Sequence, residues 1–281
     1  MREIAAQDVE QAVRDLCVRA CCRLPEDVRA GIYAAREGEP WPVARDVLGT
    51  ITRNIEVVEA DDVPVPLCQD TGMACVFVEL GQEVHVRGDL GTAIDRGVRA
   101  GYAEGYLRKS MVRDPLRREN TRDNTPALVT YDVVPGDALR ITVAPKGAGS
   151  ENMSRVRMLA PAAGIDGVRD FVVEAVREAG PNPCPPVVVG VGIGANFDHV
   201  ASLAKRALLR DLDAPNPDPF YAELERELLE RVNALGIGPQ GFGGRTTALA
   251  VHVEARPTHI ACLPVAVNIN CHVARHAEVV L

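Results

Sequence analysis

The sequence predicts an α/β fold of the mixed α+β kind, with a helical N-terminal layer packed on mixed β-sheets. Three observations carry that expectation. Apolar residues recur at helical spacing through the first sixty positions. Short apolar runs suited to buried strands begin only after residue 70. From there on, helical and strand patterns are interspersed along the chain. A length of 281 residues fits one large domain or two ordinary ones. The reading adopted is a single domain over residues 1–281, with a helical layer at 1–60 and a core at 61–281.

Ile4, Val9, Val13, Leu16, Cys17 and Ala20 mark one face of a helix over residues 4–22. Pro25 suits the first turn of a second helix. Val47, Leu48, Ile51, Ile55 and Val58 mark a third over 43–59. Residues 61–66 carry two prolines and read as an extended linker, because proline disfavours helix in the residue before it. Residues 74–80 read as a buried strand, with 84–86 as its hairpin partner across Gly81-Gln82. A helix over 89–108 carries Ala93, Gly97, Gly101 and Gly105 every four positions, a face made for close packing.

Residues 113–126 are polar and irregular, a loop of the length that is often functional. Residues 127–134 and 138–144 alternate and read as a hairpin joined by Pro135-Gly136-Asp137. A glycine loop follows at 145–152, then helices at 153–160 and 165–179. A strand at 187–191, helices at 198–210 and 220–235, a second glycine-rich loop at 236–244, and strands at 246–254 and 260–268 complete the expected order.

Composition narrows the function. Hydrophobic residues make up 47% and charged residues 25%, so a core can be buried and disorder is excluded as the main state. The net charge of −8 argues against a general nucleic-acid binder, and 4% aromatic residues argue against single-strand stacking platforms. An anionic substrate would need a local basic pocket. No apolar run is long enough to span a membrane and the N-terminus has no signal core, so a cytoplasmic location is expected, without membrane or nucleic-acid partners.

Eight cysteines in such a chain should be reduced. Cys17, Cys21 and Cys22 lie in the first helix, and Cys75 and Cys262 in apolar strands, where cysteine packs as a small hydrophobe. Cys68, Cys184 and Cys271 stand instead in polar or proline-rich turns, where burial offers little. No Cys-x-x-Cys pair is present, so spacing leaves a shared metal site and three separate thiols both open. Three loop cysteines would suit an iron–sulfur cluster with one iron free of protein ligand, able to act as a Lewis acid. Gly190 to Ala195 fits G-x-G-x-x-A after a strand. The dinucleotide reading lacks its second strand and acidic residue, and a tight strand-to-helix turn explains the glycines as well.

Four segments in register carry a resemblance: Cys68-Gln69-Asp70-Thr71-Gly72; Lys146 to Asn152; Asn182-Pro183-Cys184-Pro185-Pro186 with Val189 to Gly194; and Asn270-Cys271-His272. From about residue 20 to the end, the chain resembles the alpha subunit of class I, iron–sulfur-dependent fumarate hydratase. That unit corresponds to the N-terminal half of single-chain class I fumarases, and the tartrate dehydratase alpha subunit is related. The resemblance implies the class I fumarase N-terminal fold and a 4Fe-4S cluster held by Cys68, Cys184 and Cys271. It implies substrate contacts from Gln69, Arg108 and the backbone around Gly149, and catalytic roles for Asp70 and His259.

The implied reaction interconverts L-malate and fumarate, a hydro-lyase step of the tricarboxylic acid cycle. Conversion of tartrate to oxaloacetate is the alternative. Ser150-Glu151-Asn152 and Asn270 to His276 are similar to the fumarase forms, while Ala148 departs from the usual third glycine of its loop. The single-chain relatives continue into a second domain, so a separate beta subunit is the expected partner, in a hetero-oligomer or with a homodimer contact. The residues also admit plainer readings: Asp70 as a turn cap, His259 as a structural histidine, Arg108 as a helix-end charge, Lys146 as a loop cap. The readings from other classes are a nucleotide-binding module using the Gly190 turn and a cluster-bearing sensor or scaffold without catalysis.

Overall fold

The computed structural model describes residues 1–60 and 64–281; residues 61–63, part of the expected linker, lie outside the described residues. The elements open with β1 (Arg2–Ala5), α1 (Ala6–Cys22), α2 (Glu26–Gly38) and α3 (Pro42–Ala60). Next come β2 (Met73–Gly81), β3 (Val84–Arg87), α4 (Leu90–Glu104), β4 (Leu128–Val134) and β5 (Leu139–Lys146). After the short α5 (Ala148–Glu151) follow β6 (Arg155–Leu159), α6 (Gly164–Ala179), β7 (Val187–Ala195), α7 (Phe197–Ala207) and α8 (Pro219–Asn233). Then β8 (Ala248–Thr258), β9 (Leu263–Asn270) and β10 (Ala277–Val280) complete the order. The fold is mixed α+β, as the patterning predicts.

The chain forms two compact units. The first comprises Met1–Pro25, Asn54–Ala148 and Arg275–Leu281; the second comprises Glu26–Arg53 and Gly149–Ala274. Of the N-terminal helices, α1 belongs to the first unit, α2 to the second, and α3 contributes to both.

The first unit is built on a four-stranded sheet of order β10-β5-β2-β4. Two expected hairpins are corrected here. β3 pairs in parallel with β1, not with β2, and β4 and β5 both flank β2 instead of pairing with each other. The reason is burial. β2 is apolar on both faces over Ala74–Val78 and takes a central place, whereas β4 alternates with exposed residues and lies at the edge. Gly81 closes the arrangement, since a Cβ there would stand 2.5 Å from Gly136 O. The small-residue face of α4 packs on α1: a Cβ on Gly97 would meet Glu10 O at 2.6 Å, and one on Gly101 would meet Arg14 O at 2.7 Å. That face is therefore spent inside the unit.

The second unit carries the sheet β6-β9-β7-β8. Val187, Val189 and Val191 of β7, with Val265, Val267 and Ile269 of β9, face a core shared with α6 and α8. Ala266 faces Val200 and Ala204 of α7. This two-residue alternation puts Gly190 and Gly192 under α7, where a Cβ would stand 2.0 Å from Ala204 O and 2.2 Å from Val200 O. Helix packing, and no phosphate, accounts for these glycines. Residues 153–160 are not helical: β6 runs antiparallel to β9. The apolar Val156 and Met158 are two apart, a strand period that a short window conceals. β1 and β10, four residues each, are too short to register as periodicity.

Candidate active site

In the first unit the Cys68-to-Gly72 turn leads into β2. It is anchored through the backbone of Leu67, Asp70, Thr71 and Gly72. Leu67 N–H donates to Cys21 O (3.0 Å), and Asn54 Nδ2 donates to Leu67 O (3.0 Å). The hydroxyl of the buried Tyr102 lies 2.8 Å from Thr71 O and 3.0 Å from Gly72 O. The wholly buried Asn124 donates to Gly72 O and accepts from Ser110 and Met111 N–H, which ties the polar loop to the turn. Gly72 has φ +69, and a Cβ there would stand 2.6 Å from the Lys146 backbone, so the close approach requires glycine.

Asp70 organises the turn. Its N–H donates to Cys68 Sγ (3.4 Å), its Oδ1 accepts from Gly72 N (3.0 Å), and its Oδ2 accepts from Ala148 N (3.1 Å). A Cβ at Gly147 would stand 3.1 Å from Oδ2, so the loop after β5 approaches closely with glycine there and still supplies its amide with Ala148 present. The turn-cap geometry is thus real, and it leaves lone pairs on both oxygens. Gln69 is exposed. Arg108 is exposed too, and its carbonyl accepts from Thr71 Oγ1 (3.1 Å). α4 ends at Glu104, so Arg108 lies beyond the helix end and its charge is not part of the last turn. The first unit thus carries Cys68, Gln69 and Asp70 on one turn and holds the backbone of Arg108 against it.

In the second unit Cys184 and Cys271 are brought together. His272 N–H donates to Cys184 O (3.2 Å), and His272 Nδ1 lies 3.1 Å from the same carbonyl. Gln240 binds Pro185 O through both its backbone N–H (2.8 Å) and Nε2 (2.7 Å), and Nε2 lies 3.3 Å from His272 Nδ1. Cys184 adopts φ +57, a left-handed conformation uncommon outside glycine. Gly149 lies beside this turn, 3.5 Å from Asn182 O measured to a hypothetical Cβ. The second glycine-rich loop is legible in the sequence but Gln240 is not; its one local signal is a polar side chain among glycines.

His259 is placed differently. It is exposed in the turn before β9, whereas Cys271 follows the strand's other end, about 25 Å away for eight extended residues. Ala261 N–H donates to its Nδ1 (3.1 Å), so the neutral ring carries its proton on Nε2. Cys262 lies in this turn and is partly exposed, not within a strand.

The remaining cysteines separate by environment. Cys17, Cys21, Cys22 and Cys75 are buried; burial pushes Cys21 up to about 12 and Cys17 further still. The Cys17 and Cys21 thiols stay neutral and inert. Cys68 and Cys271 are partly exposed and Cys184 is exposed. Among the described residues, no three or more His, Cys, Asp or Glu side chains stand grouped as a metal site. Within the units, however, the donor chemistry fits a thiolate-held group: accessible sulfurs on braced turns, an amide N–H already on one sulfur, and near Cys68 a buried guanidinium with unpartnered nitrogens on Arg275. Among the described residues, no helix is long and apolar enough to cross a membrane.

The chain is similar to known proteins over nearly its whole length. The sequence profile of the fumarate hydratase (fumerase) family matches residues 10–280. A Methanocaldococcus jannaschii protein, provisionally designated an L(+)-tartrate dehydratase subunit alpha, is 40% identical over 276 residues, covering 96% of each chain. The L(+)-tartrate dehydratase subunit alpha of Escherichia coli strain UTI89 is 33% identical, covering 96% of this chain and 89% of that protein. The K12 protein of the same name is 31% identical over the whole of this chain and 93% of its own. The match of nearly the whole chain, with the turns just described inside it, shows that the protein belongs to the fumarate hydratase family of hydro-lyases.

Proposed function

We propose that this chain is the alpha subunit of a cytoplasmic iron–sulfur hydro-lyase that interconverts L-malate and fumarate. Cys68, Cys184 and Cys271 hold its 4Fe-4S cluster. The observation that carries the reading is the setting of these three cysteines: each stands on a turn outside the core, and Cys68 Sγ already accepts the Asp70 amide. When bound, the cluster would supply one open iron as a Lewis acid toward the substrate hydroxyl.

The chain's own residues do the rest. Arg108 pairs bidentately with a substrate carboxylate, as a planar guanidinium does. Gln69 and the amides around Gly149 orient the bound acid. Asp70 keeps its two amide hydrogen bonds and accepts from the substrate hydroxyl on a remaining lone pair. The resemblance gives His259 a proton-donating role at the departing oxygen, whereas its place at the opposite end of β9 from Cys271 counts against that role; the kinetics of His259→Asn decide between them. The C3 proton goes to a base on a separate beta subunit. The relatives' designation as alpha subunits supports that partner.

A second reading takes L(+)-tartrate as substrate. The names of the relatives at 31–40% identity favour it, whereas the Lys146–Asn152 and Asn270–His276 segments favour malate. The test is anaerobic reconstitution with iron and sulfide, followed by absorption and magnetic spectra with malate and with tartrate. About four irons per chain and a spectral change with malate alone support the first reading. A change with tartrate alone supports the second, and no cluster refutes both.

A further inference from the structure

Arg275 is a cation of the first unit with no part in the chemistry so far. Its side chain is buried, with the residue 3% exposed. Nη2 donates to Asp70 O, but Nε and Nη1, both buried, have no hydrogen-bond partner among the described residues. A guanidinium carries five N–H donors in a rigid fork and keeps its charge. Leaving such donors buried and unpaired is strongly unfavourable unless an anion meets them.

Among the described residues, no carboxylate pairs with Arg275. Cys21 is held neutral by burial, and burial likewise raises the Tyr102 hydroxyl well above its ordinary range. Arg275 pulls against the shift at Cys21, Cys22 and Tyr102, and Cys21 also senses Cys68 and Asp70. The cation therefore lies between the end of α1 and the Cys68 turn. Both carboxylate oxygens of Asp70 already face amides, of Gly72 and Ala148.

We propose that Arg275 is a positioning residue for the iron–sulfur group: Nη2 fixes the Asp70 carbonyl, and Nε and Nη1 offer charge and N–H donors to the anionic cluster bound at Cys68. This inference rests on the proposed function above. One-electron reduction makes a cluster more negative, so a nearby cation stabilises the reduced form and raises the midpoint potential. Hydrogen bonds to the sulfurs act in the same sense and shield them.

The experiment compares wild type, Arg275→Gln and Arg275→Lys, reconstituted anaerobically. Iron and sulfide are counted, folding is checked by circular dichroism, and the cluster is titrated with dithionite under spectroscopic observation. The glutamine variant is expected to show a midpoint shifted negative and several-fold faster iron loss in air. The lysine variant, which keeps charge without the fork, is expected to lie between it and wild type. A loaded glutamine variant with the wild-type midpoint overturns the inference and leaves the proposed function standing. If glutamine prevents loading, loading restored by lysine supports the inference, and loading lost in both overturns it. A wild-type chain that takes up no cluster overturns the functional reading and this inference together.

Discussion

The backbone N–H of Asp70 donates to the sulfur of Cys68 across 3.4 Å, within a turn whose carbonyls are bound by Tyr102, Asn124 and Arg275. An amide aimed at a sulfur can keep its hydrogen bond to a ligating sulfur, and the bracing lets the turn keep its shape when the sulfur becomes a ligand. Replacing Cys68, Cys184 or Cys271 with serine should therefore reduce iron from about four per chain to near zero after reconstitution. Replacing Cys21 or Cys75 with alanine should leave iron content unchanged, at a cost of about 1–2 kcal/mol in stability. Iron and sulfide analysis with denaturant unfolding checks both. Iron loss only on replacement of the buried set would reverse the assignment.

Asp70 serves both as cap and as candidate catalytic group, and one substitution separates these roles. Asp70→Asn keeps an oxygen for Gly72 N–H but can turn its amide toward Ala148 N, losing one hydrogen bond worth about 1 kcal/mol. With the partner subunit present, kcat should fall roughly 10²–10⁴-fold while cluster content holds, if Asp70 handles the hydroxyl proton. An unchanged kcat with lowered stability would leave only the cap. His259→Asn is the parallel case: a comparable kcat loss would give His259 its role despite its position at the far end of β9, and wild-type kinetics would remove it.

Much of this molecule was legible residue by residue, and its pairings were not. Helix faces such as Val9, Val13 and Leu16, and strand runs such as Val76 and Val78, are local patterns, and all of these are buried as expected. Which strand lies beside which is decided by non-local burial: β2 displaces β3 and β4 from the hairpins that their connecting turns suggest. The same divide runs through the candidate site. The three cysteine turns are visible because polar and proline residues around a cysteine are locally anomalous. Gln240 and Arg275 are not, because each acts on a turn far away in sequence, at Pro185 and Asp70.

The glycines at 190 and 192 yield a test of helix packing. Gly192→Ala would place a methyl 2.2 Å from Val200 O and 2.8 Å from Ala204 N, against backbone that cannot rotate aside. Overpacking of this kind costs at least about 1–3 kcal/mol, and here α7 must lift from β7. Chemical denaturation should show a lower midpoint, and NAD or ATP calorimetry should be silent in both wild type and variant. Nucleotide binding lost with the substitution would revive the dinucleotide reading.

His252 links stability to pH. It lies 2% exposed on β8, and neither ring nitrogen has a hydrogen-bond partner among the described residues. Burial and then the nearby Arg210 cation lower its pKa from 6.5 to about 4, against smaller opposing effects of Glu225 and Asp27. The folded state therefore holds His252 neutral at pH values where the unfolded chain takes up the proton. The stability from this group is fully present above about pH 6.5 and declines as pH falls toward 4, by on the order of 3 kcal/mol in all. Carboxylates titrate over the lower part of that window, so the measurement is a difference between proteins. Denaturant unfolding of wild type and His252→Asn from pH 7.5 to 4.5 should show curves that converge as pH falls, because only in the wild type does the unfolded chain gain stability by taking up this proton at acid pH. Parallel curves would mean that the imidazole gains its proton inside the folded unit, and that the Arg210–Glu225 pair around it rearranges to admit the charge.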